Sequence, residues 1–383
     1  METIGFFEII AGVVSRLWPV WLAGAIVFAM SFSMRKRLGL YGQLIGNGIG
    51  LTGVLICVFW LFAAIFADIV APFGARDQLA VMKNAFPGSI DAQSGLIYYL
   101  GGDNLGRDVF SRIIHGSRVV LVIAPAATLF ALMVGMTLGL PAGYFGGKVD
   151  SVLSFLANLV LAFPVILLFY LLVTPGIEET IIPKSLAGFF FLFPIIFFCT
   201  LFYTRFRTQP EKLSVYIAVT LLVGGWVYAG LVFGLDPLGI MSLEKGELNI
   251  FVAVVFASSP GVFRIVRGLT LDIMTRDYVA AAQTRGEGPW YIMLWEILPN
   301  ARGPLIVDGC LRIGYTTILL GTLGYFGLGM GPESADWGTM IKDGSQLLRL
   351  YVWPALVPAL ALMSFVLGLN LLADGLREES LKD

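Results

Sequence analysis

Residues 270–299 read TLDIMTRDYVAAAQTRGEGPWYIMLWEILP, the longest polar-interrupted segment between the apolar runs of the C-terminal half. The pattern predicts two short helices around a turn. The first, over about residues 270–284, carries Ala280, Ala281 and Ala282, which favour helix. Gly286 is placed to end it, because glycine takes the left-handed C-terminal cap at no steric cost. Pro289 fits the first turn of the second helix, where its missing N–H is not needed. That helix puts Tyr291, Leu294, Trp295 and Leu298 on one face, with Pro299 as its stop. Two readings follow: a docking knob for a soluble partner, or an ordinary cytoplasmic loop with surface helices.

What flanks this segment is apolar. The chain has 383 residues, of which 57% are hydrophobic and 13% charged; a soluble domain carries about 25% charged residues. The expected fold class is all-α, a polytopic membrane helical bundle. A net charge of −1 with no basic domain excludes nucleic acid as a partner. With one histidine, His115, no His-based metal cluster or catalytic triad can be built. Cys57, Cys199 and Cys310 each fall inside an apolar run and read as packing residues, so no metal site is expected. Gly146-Gly147-Lys148 is followed by Val149, so the chain lacks the Gly-x4-Gly-Lys-Ser/Thr loop that cradles nucleotide phosphates.

Hydropathy places about nine spans of ~20 apolar residues, near 18–34, 47–67, 118–140, 151–173, 185–203, 213–234, 249–267, 303–328 and 352–373. Glu2 and Glu8 precede the first span and Arg35-Lys36-Arg37 follow it, which argues against a secretory signal and for an outside N-terminus. Alternating from there, Lys148, Arg205, Arg207, Lys212, Arg264, Arg267, Arg276, Arg285 and Arg302 all fall on the cytoplasmic side, with the C-terminal tail. The segment 270–299 is therefore cytoplasmic by charge alone.

Glycines recur at four-residue spacing at Gly42, Gly46 and Gly50 and at Gly135, Gly139 and Gly143. That interval lets helices approach closely, and packing inside one subunit is the expected use. Asp308 and Arg312 lie one turn apart within a span, where ionisable groups pair or face water. They read either as a structural salt bridge or as a pair facing a central cavity near its cytoplasmic mouth. In the outer segment 68–117, GGDNLGRDVFSRIIHGSR reads from its residues alone as a turn and an interfacial amphipathic helix, with Arg112 and Arg118 at the headgroups.

Four stretches carry a resemblance. YVAAAQTRG, nine residues, then Glu296-Ile297-Leu298-Pro299 resembles the cytoplasmic Glu-Ala-Ala loop of ABC importer permeases, with Ala281, Ala282, Gly286, Leu298 and Pro299 at the family's spacing. Asn300 matches the peptide branch. Ala280 stands where that family usually has Glu, and Asp277, three residues earlier, is a candidate replacement; Glu296 stands where the peptide branch often has His. The outer segment resembles the Gly-Thr-Asp-x-x-Gly-Arg-Asp-x-x-Ser-Arg signature of dipeptide and oligopeptide permeases through Asp103, Gly106, Arg107, Asp108, Ser111 and Arg112, with Gly102 in place of Thr. Gly143 to Asp150 and LGYFGLGMGPESADWGTMIKDG match two further landmarks; a phosphate nest at Gly327, Gly329 and Gly331 is the rival reading of the latter.

The resemblance covers about residues 46–173 and 248–383. It implies a type I ABC importer permease core over 118–383, preceded by a first core span and outer segment at 46–117. An extra N-terminal span with its basic loop at 1–45 and an inserted two-span hairpin at about 175–247 lie outside it, as peripheral helices packed on the other permease or on membrane lipid. It further implies the C-type subunit of a peptide/nickel-type importer in a bacterial or archaeal cytoplasmic membrane. Its partners would be a second, homologous permease, two ATPase subunits and an extracytoplasmic solute-binding protein. The chain itself would bind no cofactor; ATP and Mg would sit on the ATPases, and no residue here would be catalytic. Asp277, Ala280, Ala281, Ala282, Gly286, Leu298 and Pro299 would form the ATPase-coupling loop. Nickel chelates or oligosaccharides are alternative substrates. The rival classes are an ion-coupled secondary transporter, which would show inverted repeats and mid-membrane ion-binding groups, and a membrane enzyme with clustered His, Asp or Cys.

Overall fold

The computed structural model describes residues 2–39, 42, 44–92, 95–173, 180–235, 239, 245–328, 331 and 333–380. Fourteen helices are labelled here. They are α1 (Phe6–Arg16), α2 (Trp18–Ser33), α3 (Gly48–Ile65), α4 (Val109–Phe145), α5 (Gly147–Ala162), α6 (Val165–Val173) and α7 (Ile181–Phe206). Then follow α8 (Pro210–Phe233), α9 (Lys245–Ile273), α10 (Asp277–Thr284), α11 over residues 289–300, α12 (Arg302–Tyr325), α13 (Trp337–Ser345) and α14 (Trp353–Ser380). Among the described residues, 7 helices are long and apolar enough to cross a membrane, and the number is 9 if each of two bent pairs is one span.

Those bent pairs refine two expected spans. The first span does not begin at residue 18: α1 precedes α2, with a 56° bend between them at Leu17. The expected span 151–173 breaks into α5 and α6 with a 78° bend. Phe163 sits before Pro164 in an extended conformation, ψ 130°, because the proline ring disfavours helical backbone in the residue ahead of it. At the other extreme α4 runs unbroken for 37 residues, well beyond the expected 118–140.

The chain divides into two compact units, residues 1–125 with 310–383, and residues 126–309. In the first, α14 lies along α3. A Cβ on Gly53 would meet the backbone N of Leu372 at 2.3 Å, and one on Gly375 the Cα of Gly50 at 2.5 Å, so glycine on both helices permits the approach. Trp60, Phe110, Trp337 and Phe365 lie in the core beside them, with the Trp60 and Trp337 rings 4.9 Å apart and edge-on. Above this core the outer segment folds back on itself. A short antiparallel pair, β1 (Ser89–Ile90) and β2 (Ile97–Tyr98), joins the N-terminal residues: Ile4 N donates to Gly88 O and Ile90 N to Glu2 O, each at 3.0 Å.

In the second unit α9 is central and is packed by α5, α6 and α7. The glycine stripe of α4 faces it. Cβ atoms on Gly135, Gly139 and Gly143 would meet Val262, Val266 and Thr270 at 2.3, 2.8 and 2.6 Å. Close packing within one subunit is thus what this stripe does. Asp150, at the start of α5, accepts a hydrogen bond from Arg267 Nη2 at 2.6 Å and fixes α5 to α9. The inserted hairpin is α7 and α8. Only α8 is peripheral, with Gly230 and Val232 as its buried residues. Helix α7 is instead sewn into the unit by aromatic contacts, Phe191 to Phe130 at 5.1 Å and Phe190 to Phe256 at 5.6 Å. The expectation of peripheral insertion therefore fails for α7, since one of its faces is core.

Candidate coupling site and outer charge cluster

Residues 270–273 complete α9 and do not belong to the loop's first helix, which is α10, starting at Asp277. Arg276 in extended conformation breaks the two apart. Helix α10 ends on Gly286 with φ +79°. Gly286 N donates to Gln283 O at 2.9 Å and Glu287 N to Ala282 O at 3.2 Å, the paired hydrogen bonds of a Schellman cap.

Helix α11 differs from expectation. It consists of an α-turn Pro289–Tyr291, a π-helical stretch Ile292–Ile297 and an α-turn Leu298–Asn300. Pro299 does not stop it, since Ala301 N still donates to Ile297 O at 3.0 Å and α12 begins at Arg302. The wider π-turn also rotates the buried face. Ile292 and Ile297, five residues apart, are fully buried with Met293 and Leu294. Of the four residues expected to share one face, Tyr291, Trp295 and Leu298 are half-buried and Leu294 is inside.

The expected coupling residues divide accordingly. Asp277, Ala280, Ala281, Gly286 and Pro299 are exposed. Ala282 is buried beside Val279 and Ile292, so it holds α10 down and presents nothing to a partner. An ion pair that spacing did not reveal joins the two helices, Arg285 Nη2 to Glu296 Oε1 at 2.9 Å. Being partly exposed it adds little stability, about 0–1 kcal/mol, and it links the surface of α10's C-terminal end to α11 above their shared buried contacts. The signal in the sequence was Glu296 itself, the carboxylate at a position where the resembled branch often has His.

The outer signature residues assemble elsewhere, in the first unit, and all are buried. Asp103 Oδ2 accepts from Arg107 Nε at 2.6 Å, and its Oδ1 from the backbone N of Leu105 and Arg107 at 2.9 Å. Arg107 also reaches Asp343 at 3.3 Å. Arg112 donates to Ser334 O at 2.8 Å and lies 3.8 Å from Asp103. Asp108 caps the start of α4, its Oδ2 accepting from Ser111 N at 2.8 Å and from Ser111 Oγ at 2.6 Å. Burial pushes the Asp108 carboxyl up to about 6, against these hydrogen bonds. Burial likewise raises Asp336, which caps α13 through Thr339 N. Tyr98 closes the turn by donating to Gly106 O at 2.9 Å.

The interfacial-helix reading of this segment is overturned. Arg112 is 1% exposed and cannot lie among headgroups. Arg118 is paired with Asp68 at 2.7 Å and donates to Ala64 O at 2.7 Å, covering the C-terminal end of α3. Gly102, where the resembled signature has Thr, also gains a reason. A Cβ there would lie 2.2 Å from Met82 O, so the outer turn of this chain has no space for a side chain at this position. Asp308 and Arg312 sit one turn apart on α12, both half-buried and both engaged in polar or charged interactions. Gly329 lies outside the described residues; Gly327 and Gly331 have φ of +76° and +99°. No group of three or more His, Cys, Asp or Glu able to hold a metal occurs among the described residues.

Comparison with known proteins adds an independent line. Residues 135–378 match the family model "Binding-protein-dependent transport system inner membrane component". The chain is similar to the di/tripeptide transport system permease protein DppC of Pseudomonas aeruginosa, 26% identical over 86% of each chain. It is 28% identical to the glutathione transport system permease protein GsiD of Pectobacterium atrosepticum, over 85% of this chain and 83% of that one. To the oligopeptide transport system permease protein OppC of Bacillus subtilis it is 27% identical over 87% of this chain and 85% of that one. The matched region takes in both units' later helices and the whole of α10 and α11. With well over half of its length in that match, and its helices apolar enough to cross a bilayer, the chain belongs to the family of inner membrane components of binding-protein-dependent transport systems, as a multi-pass permease subunit.

Proposed function

We propose that this permease subunit serves an ATP-driven importer of peptides of the di/oligopeptide class, and that it couples closure of ATPase subunits to alternating access. The observation that carries the reading is the segment 277–300. It is a two-helix projection with an exposed Ala280–Ala281 face, a rigid Schellman turn at Gly286 and a direct continuation into α12. Small side chains allow a groove on a partner to approach the backbone closely. At the junction Ala301 N donates to Ile297 O, and α12 follows from Arg302, so a displacement of α11 is passed along the chain into α12.

In this reading each of two permeases, this chain and a homologous second one, seats its loop on one of two ATPase subunits, which hold ATP and Mg and hydrolyse the nucleotide. ATP draws the ATPases together, the loops approach, and the path opens outward to receive solute from an extracytoplasmic binding protein. Hydrolysis returns the inward-facing state. The two states differ in nucleotide affinity, and that difference is the coupling free energy. Peptide is favoured as solute because the similar permeases named above are of dipeptide, oligopeptide and glutathione systems. The core would be 118–383, with 46–117 as first span and outer cover and 1–45 and the α7–α8 hairpin as additions. The N-terminus would lie outside and the C-terminus in the cytoplasm. Asp308 and Arg312 would face the path near its cytoplasmic mouth.

The test is purification of the chain from its own membranes in mild detergent, with mass spectrometry of what accompanies it. A second permease and ATPase subunits are expected. The chain alone, stable and monodisperse, with uptake that survives ATP depletion but not collapse of the proton gradient, would replace this reading by an ion-coupled transporter.

A further inference from the structure

The cytoplasmic end of α7 lies against α11. Trp295 Nε1 donates to Thr204 Oγ1 at 3.1 Å. Thr204 is itself oriented, because its hydroxyl proton goes to Leu201 O at 2.9 Å and leaves a lone pair for the indole. The Arg205 guanidinium carbon lies 4.9 Å from the centre of the Trp295 ring, within cation–π range. Beneath these polar contacts Phe197, Phe198 and Leu201 of the hairpin join the apolar cluster of Met293, Leu294 and Ile297. The π-turn makes this possible: it turns Ile292, Met293 and Ile297 into the core and leaves Trp295 half out, against the hairpin.

Ring contacts hold the hairpin together where it touches α11's neighbours. Tyr216 of α8 stacks on Phe202 at 5.0 Å and on Phe206 at 4.7 Å, tying α8 to the last turns of α7. Farther along, Phe191 packs on Phe130 and Phe251 at 5.1 and 5.6 Å, which anchors α7 to α4 and α9. Between α4 (Met136, Leu140), α7 (Phe197, Thr200) and α11 (Trp290, Leu294) remains a cavity of ≈ 30 Å³. Thr137 and Thr200, which line it, turn their hydroxyls back to Met133 O and Ile196 O, so the cavity presents mainly apolar surface.

We propose that the inserted hairpin is a brace for the second coupling helix, with Thr204, Arg205 and Trp295 as its positioning residues. Movement of α11 then passes to the membrane by two routes, covalently into α12 and through Trp295 into α7. This rests on the coupling reading of 277–300, and deepens it by assigning a role to residues 181–233.

The experiment uses the complete complex in proteoliposomes, with solute transported per ATP hydrolysed and amide exchange of residues 289–300 both measured. Trp295→Phe keeps the ring and removes the donor; Thr204→Val keeps the shape and removes the acceptor. Each is expected to lower transport per ATP about fivefold, the factor matching one lost hydrogen bond of about 1 kcal/mol, and to speed exchange of 289–300 by a similar factor. Thr204→Ser keeps the acceptor and retains both values. The double variant Trp295→Phe, Thr204→Val is no worse than either single one, because the two remove the same contact. Unchanged exchange and unchanged transport per ATP in the single variants and in Trp295→Ala would overturn the brace. A separate arm cross-links Ala281→Cys to the ATPase subunits. Its failure would overturn the docking reading instead, while amide exchange still decides whether the hairpin holds α11.

Discussion

Asp108 illustrates what burial does to a single charge. It is 2% exposed, its Oδ1 has no hydrogen-bond partner, and its pKa is pushed to about 6 from an ordinary value of 3.8, chiefly by loss of solvent. The native state therefore binds a proton more tightly than the unfolded chain. Between pH 3.8 and about 6 the folded protein carries more protons, so this group's stabilising contribution is present at the acid end and is lost as pH rises through 6. About two pKa units correspond to about 3 kcal/mol. Asp108→Asn keeps an oxygen for Ser111 and does not ionise. Thermal unfolding of the purified complex should show wild type gaining on this variant as pH falls from 7 to 5; parallel curves would mean that Asp108 is not the group that titrates. That the signature residues are buried was not legible in the sequence. Two arginines and two aspartates ahead of an apolar run look interfacial, and only Asp103, Arg107, Arg112 and Asp343 converging from separate segments makes their burial tolerable.

Among the elements, legibility follows periodicity. The apolar runs yielded the spans because length and hydropathy constrain a bilayer helix strongly, and the glycine stripe of α4 yielded a close approach that α9 completes. The break at Phe163 does not show in hydropathy because the window averages over Pro164, and α1 does not show because it lies ahead of the apolar run that begins at residue 18. The π-turn of α11 does not show for another reason: a period of 3.6 carries no sign of the one-residue register shift at Ile292–Ile297. Gly286 was legible, since a left-handed cap has few alternatives. At that site nothing lies within 4 Å of where a Cβ would stand, yet φ is +79°. Aspartate is among the few side chains that tolerate this conformation, so Gly286→Asp costs less than the 1–2 kcal/mol of a typical residue. The variant should reach the membrane and keep its fold. It places a carboxylate at the tip of the loop, where a partner's groove would have to desolvate it, so transport should be lost while the ATPases still hydrolyse ATP. Normal uptake by this variant would remove the loop from the coupling path.

At the scale of the molecule the open quantity is parity. Nine crossings put the termini on opposite sides of the membrane, and eight put them on the same side. Each bent pair, α1–α2 and α5–α6, could contribute a crossing or a re-entrant turn by its geometry alone. Contacts inside the first unit constrain one end, because residues 2–4 are hydrogen-bonded to residues 88–90 and so share a side with the outer segment. Charge constrains the other, since Arg35-Lys36-Arg37 after α2 favours a cytoplasmic position and implies that α1–α2 crosses. The α5–α6 pair has Lys148 at its start, also on the basic side, and reaches its far end at the apolar run 165–173, long enough only if both helices count together. Replacing Cys57, Cys199 and Cys310 by alanine and placing single cysteines by Glu2→Cys, Arg37→Cys, Glu287→Cys and Arg377→Cys gives a direct reading with a membrane-impermeant maleimide. Glu2→Cys should label in intact cells, and the other three only after permeabilisation. If Glu287→Cys and Arg377→Cys label from outside while Arg37→Cys does not, α5–α6 is re-entrant and the segment 277–300 faces away from any ATPase, which would end the coupling reading on topological grounds alone.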